Sequence, residues 1–236
     1  MTEFLFVRHG QASFGAADYD VLSDLGHTQS RLLGEWLASH PEHHFDAVAS
    51  GSLLRHRDTL GGIRAAYAVA GRPLPAAVTL PALDEFDHRA VFGAYAQTHA
   101  DHPIAIAAEH GRSQDHRAVG RFLREALLAW TRGVLDPHVP ESWPVFGQRV
   151  RGAVAGLLAQ ADAPRRVLVV TSGGVMAQLA QQALAAPDAT AVELNLSVRN
   201  SALAEFRASD GGLLMSSWNA MPHLAAASQR ALWTFY

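Results

Sequence analysis

Four short apolar runs in the sequence are each followed by side chains that can act on a phosphoryl group. The runs are FLFV (4–7), FDAVAS (45–50), AVTL (77–80) and VLVV (167–170). The segments that follow them are Arg8-His9-Gly10, Gly51-Ser52-Leu53-Leu54-Arg55, Pro81-Ala82-Leu83-Asp84-Glu85 and Thr171-Ser172-Gly173-Gly174. Together they supply a histidine, arginines, carboxylates and a glycine-rich stretch that opens a helical pattern.

Each of these residue types has a defined use in phosphoryl transfer. An arginine fork matches the oxygens of a phosphoryl group with two parallel hydrogen bonds. A histidine can accept the group covalently, and a carboxylic acid can protonate the leaving oxygen. Backbone N–H groups at a helix N-terminus favour a bound anion. The combination predicts phosphoryl-transfer chemistry.

The elements that must position these residues follow from the hydrophobic pattern. The four apolar runs predict strands buried on both faces. Ser23 is placed to cap a helix that carries Leu33 and Leu37 on its apolar face, and 52–70 predicts a second helix. Because strands alternate with helices, we predict an α/β fold with a mostly parallel sheet and helices on both faces. Ligands bind such sheets beyond the carboxyl ends of the strands.

The last part of the chain carries two further predictions. The run AVEL (191–194) predicts another strand. The segments on either side of Asp210-Gly211-Gly212 predict a hairpin at an edge of the sheet.

The alternation of strand and helix patterns is interrupted between 87 and 143. We interpret this segment as a helical cap insertion within a single domain spanning 1–236. One amphipathic helix is clear here, with Phe122, Ala126 and Trp130 at helical spacing and an end at Gly133. Four basic residues of the insertion could reach over the pocket, although a solvated cap face is the favoured interpretation: His110, Arg112, His116 and Arg117.

Composition excludes several functions. The chain has 236 residues, 49% of them hydrophobic and 17% charged, and a net charge of −3, which fits a globular protein and gives no support to nucleic-acid or membrane partners. It contains no cysteine, so disulfides and thiolate metal sites are excluded. Its basic residues are all arginine, so lysine mechanisms are excluded as well. We expect a cytoplasmic, bacterial protein.

The motifs in their order resemble the histidine phosphatase (phosphoglycerate mutase-like) superfamily. Arg8-His9-Gly10 is similar to its signature after the first strand, and Gly51-Ser52-Leu53-Leu54-Arg55 with Thr59 resembles its SPLxRxxxT motif. Three further stretches resemble motifs of the superfamily: Leu22-Ser23-Asp24-Leu25-Gly26 with Gln29, Leu83-Asp84-Glu85, and Thr171-Ser172-Gly173-Gly174-Val175. A single tripeptide is a weak signal, whereas five in register are strong.

This resemblance implies a three-layer α/β/α sandwich and a role for each matching residue. His9 would be the nucleophile that forms a phosphohistidine, and Arg8 and Arg55 would hold the phosphoryl oxygens. Glu85 would protonate the leaving alkoxide and then activate water. Ser172 and Gly173 would complete the phosphate site. The resemblance implies neither a metal nor a cofactor, and a small-molecule phosphomonoester as substrate.

Two positions depart from the family pattern. Ser172 stands where the family usually has a second histidine, so a charge-assisted donor is replaced by a neutral hydroxyl. Gly15 stands near the position of a mutase-type asparagine, which counts against phosphoglycerate mutase activity. The sequence therefore predicts a phosphatase, with a catalytically weak phosphate-binding or regulatory relative as the alternative.

Simpler interpretations remain for several of these residues. Arg8 and Arg55 could form surface ion pairs, His9 could be a core histidine, and Ser172 could be a helix N-cap. Among the neighbours of Glu85, Asp84 and Asp87 compete for its role. Two other kinds of site are disfavoured. The histidines of 40–44 lie at a predicted helix end in solvent rather than in a metal motif, and neither Ser172 nor Ser113 has the G-x-S-x-G setting of a serine hydrolase.

Overall fold

A computed structural model describes residues 1–13, 20–102, 116–159 and 164–235 of the chain. Within these ranges the strands are β1 (Glu3–Arg8), β2 (Ala47–Ser50), β3 (Ala77–Thr79), β4 (Arg166–Thr171), β5 (Leu203–Ser209) and β6 (Gly212–Ala220). They form one sheet in the order β3-β2-β4-β1-β5-β6. The four strands β1 to β4 pair in parallel, whereas β5 pairs antiparallel with β1 and β6 antiparallel with β5.

The helices of the described residues are α1 (Asp24–Ser39), α2 (Leu54–Val69), α3 (His88–Thr98), α4 (His116–Thr131), α5 (Trp143–Leu158), α6 (Gly173–Ala183) and α7 (Asp188–Ser197). A short 3₁₀ helix, Pro81–Leu83, follows β3. Ser23 caps α1 as predicted, because its hydroxyl accepts a hydrogen bond from the Gly26 N–H at 3.1 Å.

Alternate residues of β1 pack into cores on opposite faces of the sheet. Phe4 and Phe6 join the core formed with α3 to α7, and Leu5 and Val7 join the core formed with α1 and α2. A strand buried on both faces has this pattern. The protein is therefore the predicted sandwich of a sheet between two helical layers.

The hairpin prediction is confirmed, since β5 and β6 pair across the Asp210-Gly211 turn at the edge of the sheet. The predicted amphipathic helix is α4, and Gly133 beyond its end adopts a φ of +74°. The prediction of a strand at 191–194 is wrong, because these residues lie in α7. A four-residue apolar run does not distinguish a strand from a buried helix face, and here Ala191 and Val192 supply that face.

The histidines of 40–44 divide between surface and interior. His44 is exposed, as expected, and its Nε2 lies 3.6 Å from Asp46 Oδ1. The expectation of solvent is wrong for His43, which is buried against Trp36 and Phe45. The apolar surface of the aromatic rings accounts for its burial.

Candidate active site

The sheet places His9 and Ser172 side by side. In the parallel pair of β1 and β4, Arg8 is opposite Thr171, so the next residue of each strand leaves the sheet at the same edge. The backbone N–H of His9 donates to the Thr171 carbonyl at 2.9 Å, and the His9 carbonyl accepts from the Ser201 N–H at 3.1 Å. The backbone of His9 is therefore fixed on both sides.

The imidazole of His9 is buried and its tautomer follows from its partners. Nδ1 lies 2.7 Å from the Gly10 carbonyl oxygen, which can only accept, so Nδ1 carries the hydrogen. Nε2 accepts from Arg55 Nε at 3.2 Å. Burial, together with the charges of Arg55 and Arg8, holds the pKa of His9 well below its ordinary value. The ring is therefore neutral at neutral pH, with a lone pair on Nε2.

Two arginines lie next to this ring. Arg55 is buried in the first turn of α2, and its Nη1 lies 2.7 Å from Asp20 Oδ1. Arg8 donates through Nη1 to the Val198 carbonyl. Its Nε would lie 3.3 Å from a Cβ built on Gly173, so the guanidinium runs close along the start of α6. A third arginine of the same stretch, Arg57, is exposed on α2.

The loop that carries His9 is fastened to two helices. Thr59 Oγ1 accepts from the Gly10 N–H at 3.0 Å and donates to the Arg55 carbonyl at 2.7 Å. The side-chain oxygen of buried Gln29 accepts from the Gln11 N–H at 2.8 Å. These contacts give a structural reason for the threonine and glutamine of the predicted motifs.

The three carboxylates after β3 have different surroundings. Glu85 Oε2 accepts from the Gly174 N–H at 3.0 Å, and burial raises the pKa of Glu85 although this N–H, Arg55 and Arg8 lower it. Asp84 instead accepts from the Ser52 N–H and hydroxyl. Asp87 caps α3 by accepting from the Ala90 N–H at 2.9 Å. Glu85 is therefore the carboxyl group that faces both arginines and stays protonated to higher pH than an ordinary glutamate.

Arg149 of α5 holds the loop of Glu85 in place, which the sequence did not indicate. Its Nη1 donates to the carbonyls of Ala82 at 3.0 Å and Asp84 at 2.9 Å. Its other nitrogens pair with Glu141 at 2.7 and 2.8 Å. Thr171 adds a hydrogen bond from its hydroxyl to the Leu83 carbonyl at 2.5 Å. The loop is thus tied to both β4 and α5.

Ser172 precedes α6 at the N-cap position, but its side chain makes no capping hydrogen bond. Its Oγ lies 2.6 Å from Nε2 of His56, a residue that is fully buried in α2. On the other side of that ring, His56 Nδ1 faces Asp84 Oδ1 at 3.6 Å. Ser172 therefore occupies the N-cap position that the simpler interpretation gave it, but its hydroxyl contacts His56 and does not cap the helix.

His56 was missed by the sequence reasoning. Its ring centroid lies 5.7 Å from that of His9. The sequence signal that could have indicated His56 was its position directly after Arg55, inside the stretch that resembles the SPLxRxxxT motif. A second missed residue is His88, the first residue of α3, whose pKa is lowered by burial and by the charge of Arg55.

Several predicted residues lie outside the described part of the chain, namely Gly15, His110, Arg112 and Ser113. His116 begins α4, and Arg117, the next residue, is exposed. Among the described residues, histidines and carboxylates form no group of three or more that could hold a metal ion. In the same ranges, no helix has the length and hydropathy needed to cross a bilayer.

The fold and the site define a class of protein: an α/β sandwich with a buried neutral histidine, two arginines and a protonatable carboxyl group at the ends of its parallel strands. The family model of the histidine phosphatase superfamily (branch 1) matches residues 4–221. The chain belongs to this superfamily. A comparison with curated protein sequences finds no match.

Solved structures show the same fold. A mycobacterial glucosyl-3-phosphoglycerate phosphatase is 25% identical with a TM-score of 0.61, and the alignment covers 93% of this chain and 99% of that one. Phosphoglycerate mutase from Bacillus anthracis is 18% identical with a TM-score of 0.64, covering 94% of each chain. A mutant phosphoserine phosphatase from Entamoeba histolytica, in complex with phosphoserine, is 15% identical with a TM-score of 0.62, covering 95% of this chain and 100% of that one.

Proposed function

We propose that this protein is a phosphatase that hydrolyses a small-molecule phosphomonoester through a phosphohistidine on His9, without a metal ion. The observation that carries the proposal is the state of the His9 ring. Nδ1 donates to the Gly10 carbonyl, and burial with two neighbouring arginines keeps the ring neutral. The lone pair needed for attack on phosphorus is therefore on Nε2, beside Arg55.

In the first step, His9 Nε2 forms a bond to phosphorus as the bond to the leaving oxygen breaks. The raised pKa of Glu85 lets its carboxyl group keep the proton that this oxygen takes up. Arg8 and Arg55 hold the oxygens of the phosphoryl group, since their guanidinium groups match them in charge and geometry. Gly173 and Ser172 form the remaining wall.

In the second step, the Glu85 carboxylate removes a proton from water. The water oxygen attacks phosphorus, and the bond from phosphorus to Nε2 breaks. Orthophosphate leaves, while His9 and protonated Glu85 are regenerated. The same two residues thus serve both halves of the reaction, with exchanged proton roles for Glu85.

We assign segment 87–143 as the cap that contacts the leaving group. Support comes from its first helix, α3, where burial and then the charge of Arg55 lower the pKa of His88. We also propose that the protein works in the cytoplasm.

The proposal is tested by trapping the intermediate. The protein is mixed with p-nitrophenyl phosphate, quenched in base and analysed by mass spectrometry for an acid-labile phosphate on His9. We expect labelling and turnover in the wild type and in the exposed-histidine control His27→Ala, and neither in His9→Ala. Phosphate binding without labelling or turnover would overturn the phosphatase and support the weak phosphate-binding alternative.

A further inference from the structure

Ser172 and His56 form a buried pair next to the proposed phosphoryl site. Both side chains are fully buried, and Ser172 Oγ lies 2.6 Å from His56 Nε2. Ser172 follows β4 at the position next to His9, because the register of β1 and β4 sets Arg8 opposite Thr171. The histidine rings of 9 and 56 are 5.7 Å apart between centroids.

Gly51 leaves the space that the His56 ring and the Asp84 carboxylate occupy. A Cβ built on Gly51 would lie 2.2 Å from His56 Nδ1 and 2.6 Å from Asp84 Oδ1. Any larger residue at 51 would displace both groups. Gly51 therefore permits the chain of contacts that runs from Asp84 through His56 to Ser172.

The direction of the hydrogen bond between the pair depends on the charge of His56. His56 Nδ1 makes no hydrogen bond, but it faces the Asp84 carboxylate at 3.6 Å, and this negative charge favours the neutral tautomer that carries its hydrogen on Nδ1. Nε2 then accepts, and the Ser172 hydroxyl must donate to it. When His56 carries a second proton, Nε2 donates instead, and the Ser172 hydroxyl is released to donate elsewhere.

We propose that His56 and Ser172 act as one unit, in which His56 takes up a proton from solvent as a phosphoryl dianion binds and Ser172 then donates its O–H to a phosphoryl oxygen. His56 is the positioning residue, and Ser172 makes the contact. The proton returns to solvent when phosphate leaves. This inference rests on the proposed function, since it assigns a donor to the same site.

The charges around His56 agree with a proton that is taken up only on binding. Burial lowers the pKa of His56, the Asp84 carboxylate and Asp20 raise it, and Arg55 lowers it. The ring of His9, the residue that follows β1, lies beside the His56 ring and is itself neutral. The net direction is downward, so the ring is neutral in the free protein, and a bound dianion beside Ser172 would favour its charged form.

A double-mutant cycle tests whether the two residues act together. With p-nitrophenyl phosphate, we expect Ser172→Ala and His56→Gln each to lower kcat/KM by roughly ten- to hundredfold, the value of a hydrogen bond to a charged group. The double variant should lose no more activity than the less active of the two single variants, because the second substitution removes no further interaction. Losses that multiply would overturn the proposal.

The control is His43→Gln, which changes a buried histidine at the opposite end of the sheet, in a cavity lined by Phe45 and Arg166. It should retain wild-type kinetics. A loss in His56→Gln no greater than in His43→Gln would also overturn the proposal.

Proton uptake is tested by NMR titration of the histidine rings with and without saturating sulfate, which stays a dianion throughout. We expect sulfate to raise the titration midpoint of the His56 ring, and Ser172→Ala to reduce this rise. An unchanged midpoint would overturn the proposal, and the variant Ser172→Ala decides it even if His56→Gln does not fold. Because sulfate binding needs no turnover, this result is independent of whether the wild type forms phosphohistidine.

Discussion

Glu85 Oε2 accepts a hydrogen bond from the Gly174 N–H at 3.0 Å, so its carboxyl group lies against the first turn of α6. The N-terminus of a helix favours a negative charge. Burial nevertheless outweighs this N–H and the two arginines, and it raises the pKa of Glu85. The contact thus fixes the position of the carboxyl group, while its burial keeps the proton available.

Replacing Glu85 should make activity depend on the leaving group. In Glu85→Gln, we expect kcat/KM for an alkyl phosphate to fall by about 10²–10⁴, the usual contribution of a general acid. The loss with p-nitrophenyl phosphate should be much smaller, because p-nitrophenolate leaves without a proton. Steady-state kinetics with both substrates measure the difference. The control is Asp87→Asn, which changes the cap of α3. In this variant the ratio of kcat/KM for the two substrates should stay at the wild-type value. Equal losses for both substrates in Glu85→Gln would contradict the role of Glu85 as a general acid.

The dependence of kcat/KM on pH should reflect His9 and Glu85. Activity requires neutral His9, so it falls as pH drops through the pKa of His9, which lies well below the ordinary histidine value. It also requires protonated Glu85, so it falls as pH rises through the raised pKa of Glu85. We expect Glu85→Gln to lose the alkaline fall when both proteins are compared on an alkyl phosphate, whose leaving oxygen needs the proton of Glu85. The ionisation of the substrate is common to both profiles, so an identical alkaline limb in the variant would refute the assignment.

Gly174 is required for the close approach of Glu85. A Cβ at this position would lie 2.2 Å from Glu85 Oε1 and 2.9 Å from the Phe86 ring. We expect Gly174→Ala to displace the carboxyl group and lower kcat for an alkyl phosphate by at least about tenfold, since small misplacements of catalytic groups are costly.

Gly152 offers a matched control, because it lies in α5 and a Cβ there meets nothing within 4 Å. Gly152→Ala should keep full activity and add about 0.5–1 kcal/mol to the free energy of unfolding, from the higher helix propensity of alanine. Wild-type activity in Gly174→Ala would show that the close approach of Glu85 to residue 174 is not needed for catalysis.

Arg149 should stabilise the loop of Glu85. Arg149→Met removes the donors to the Ala82 and Asp84 carbonyls and leaves Glu141 without its partner. We expect the free energy of unfolding to fall by about 1–3 kcal/mol, the cost of unmade hydrogen bonds to partly buried groups. Urea denaturation measures this change, and kcat should fall with it.

For comparison, Arg31→Met breaks an exposed pair with Glu35, where both side chains are more than half accessible at 56% and 51%. Its cost should stay below about 0.5 kcal/mol. Similar losses of stability in both variants would show that the hydrogen bonds of Arg149 contribute no more to the free energy of unfolding than an exposed ion pair.

The sequence predicted much of this protein because its signals are local. Buried parallel strands appear as continuous apolar runs, and polar residues follow them in the chain, so His9, Arg55 and Glu85 could be named as candidate site residues before the fold was known. Ser23 and Gly133 marked helix ends through their own hydrogen bonding and backbone preference. The prediction of a strand at AVEL was wrong because a four-residue run of this kind is compatible with a strand and with a helix. The helix is the observed form, and it packs against α6.

Tertiary structure alone decided the partners of these residues. Nothing in the order of residues sets Ser172 beside His56, which are 116 positions apart in the chain. The same holds for Arg149 and the loop of Glu85, which meet because α5 packs against the 3₁₀ helix after β3. Proton affinities depend on burial and on charges gathered from distant segments, so the low pKa of His9 and the raised pKa of Glu85 exist only once the sheet has brought those segments together.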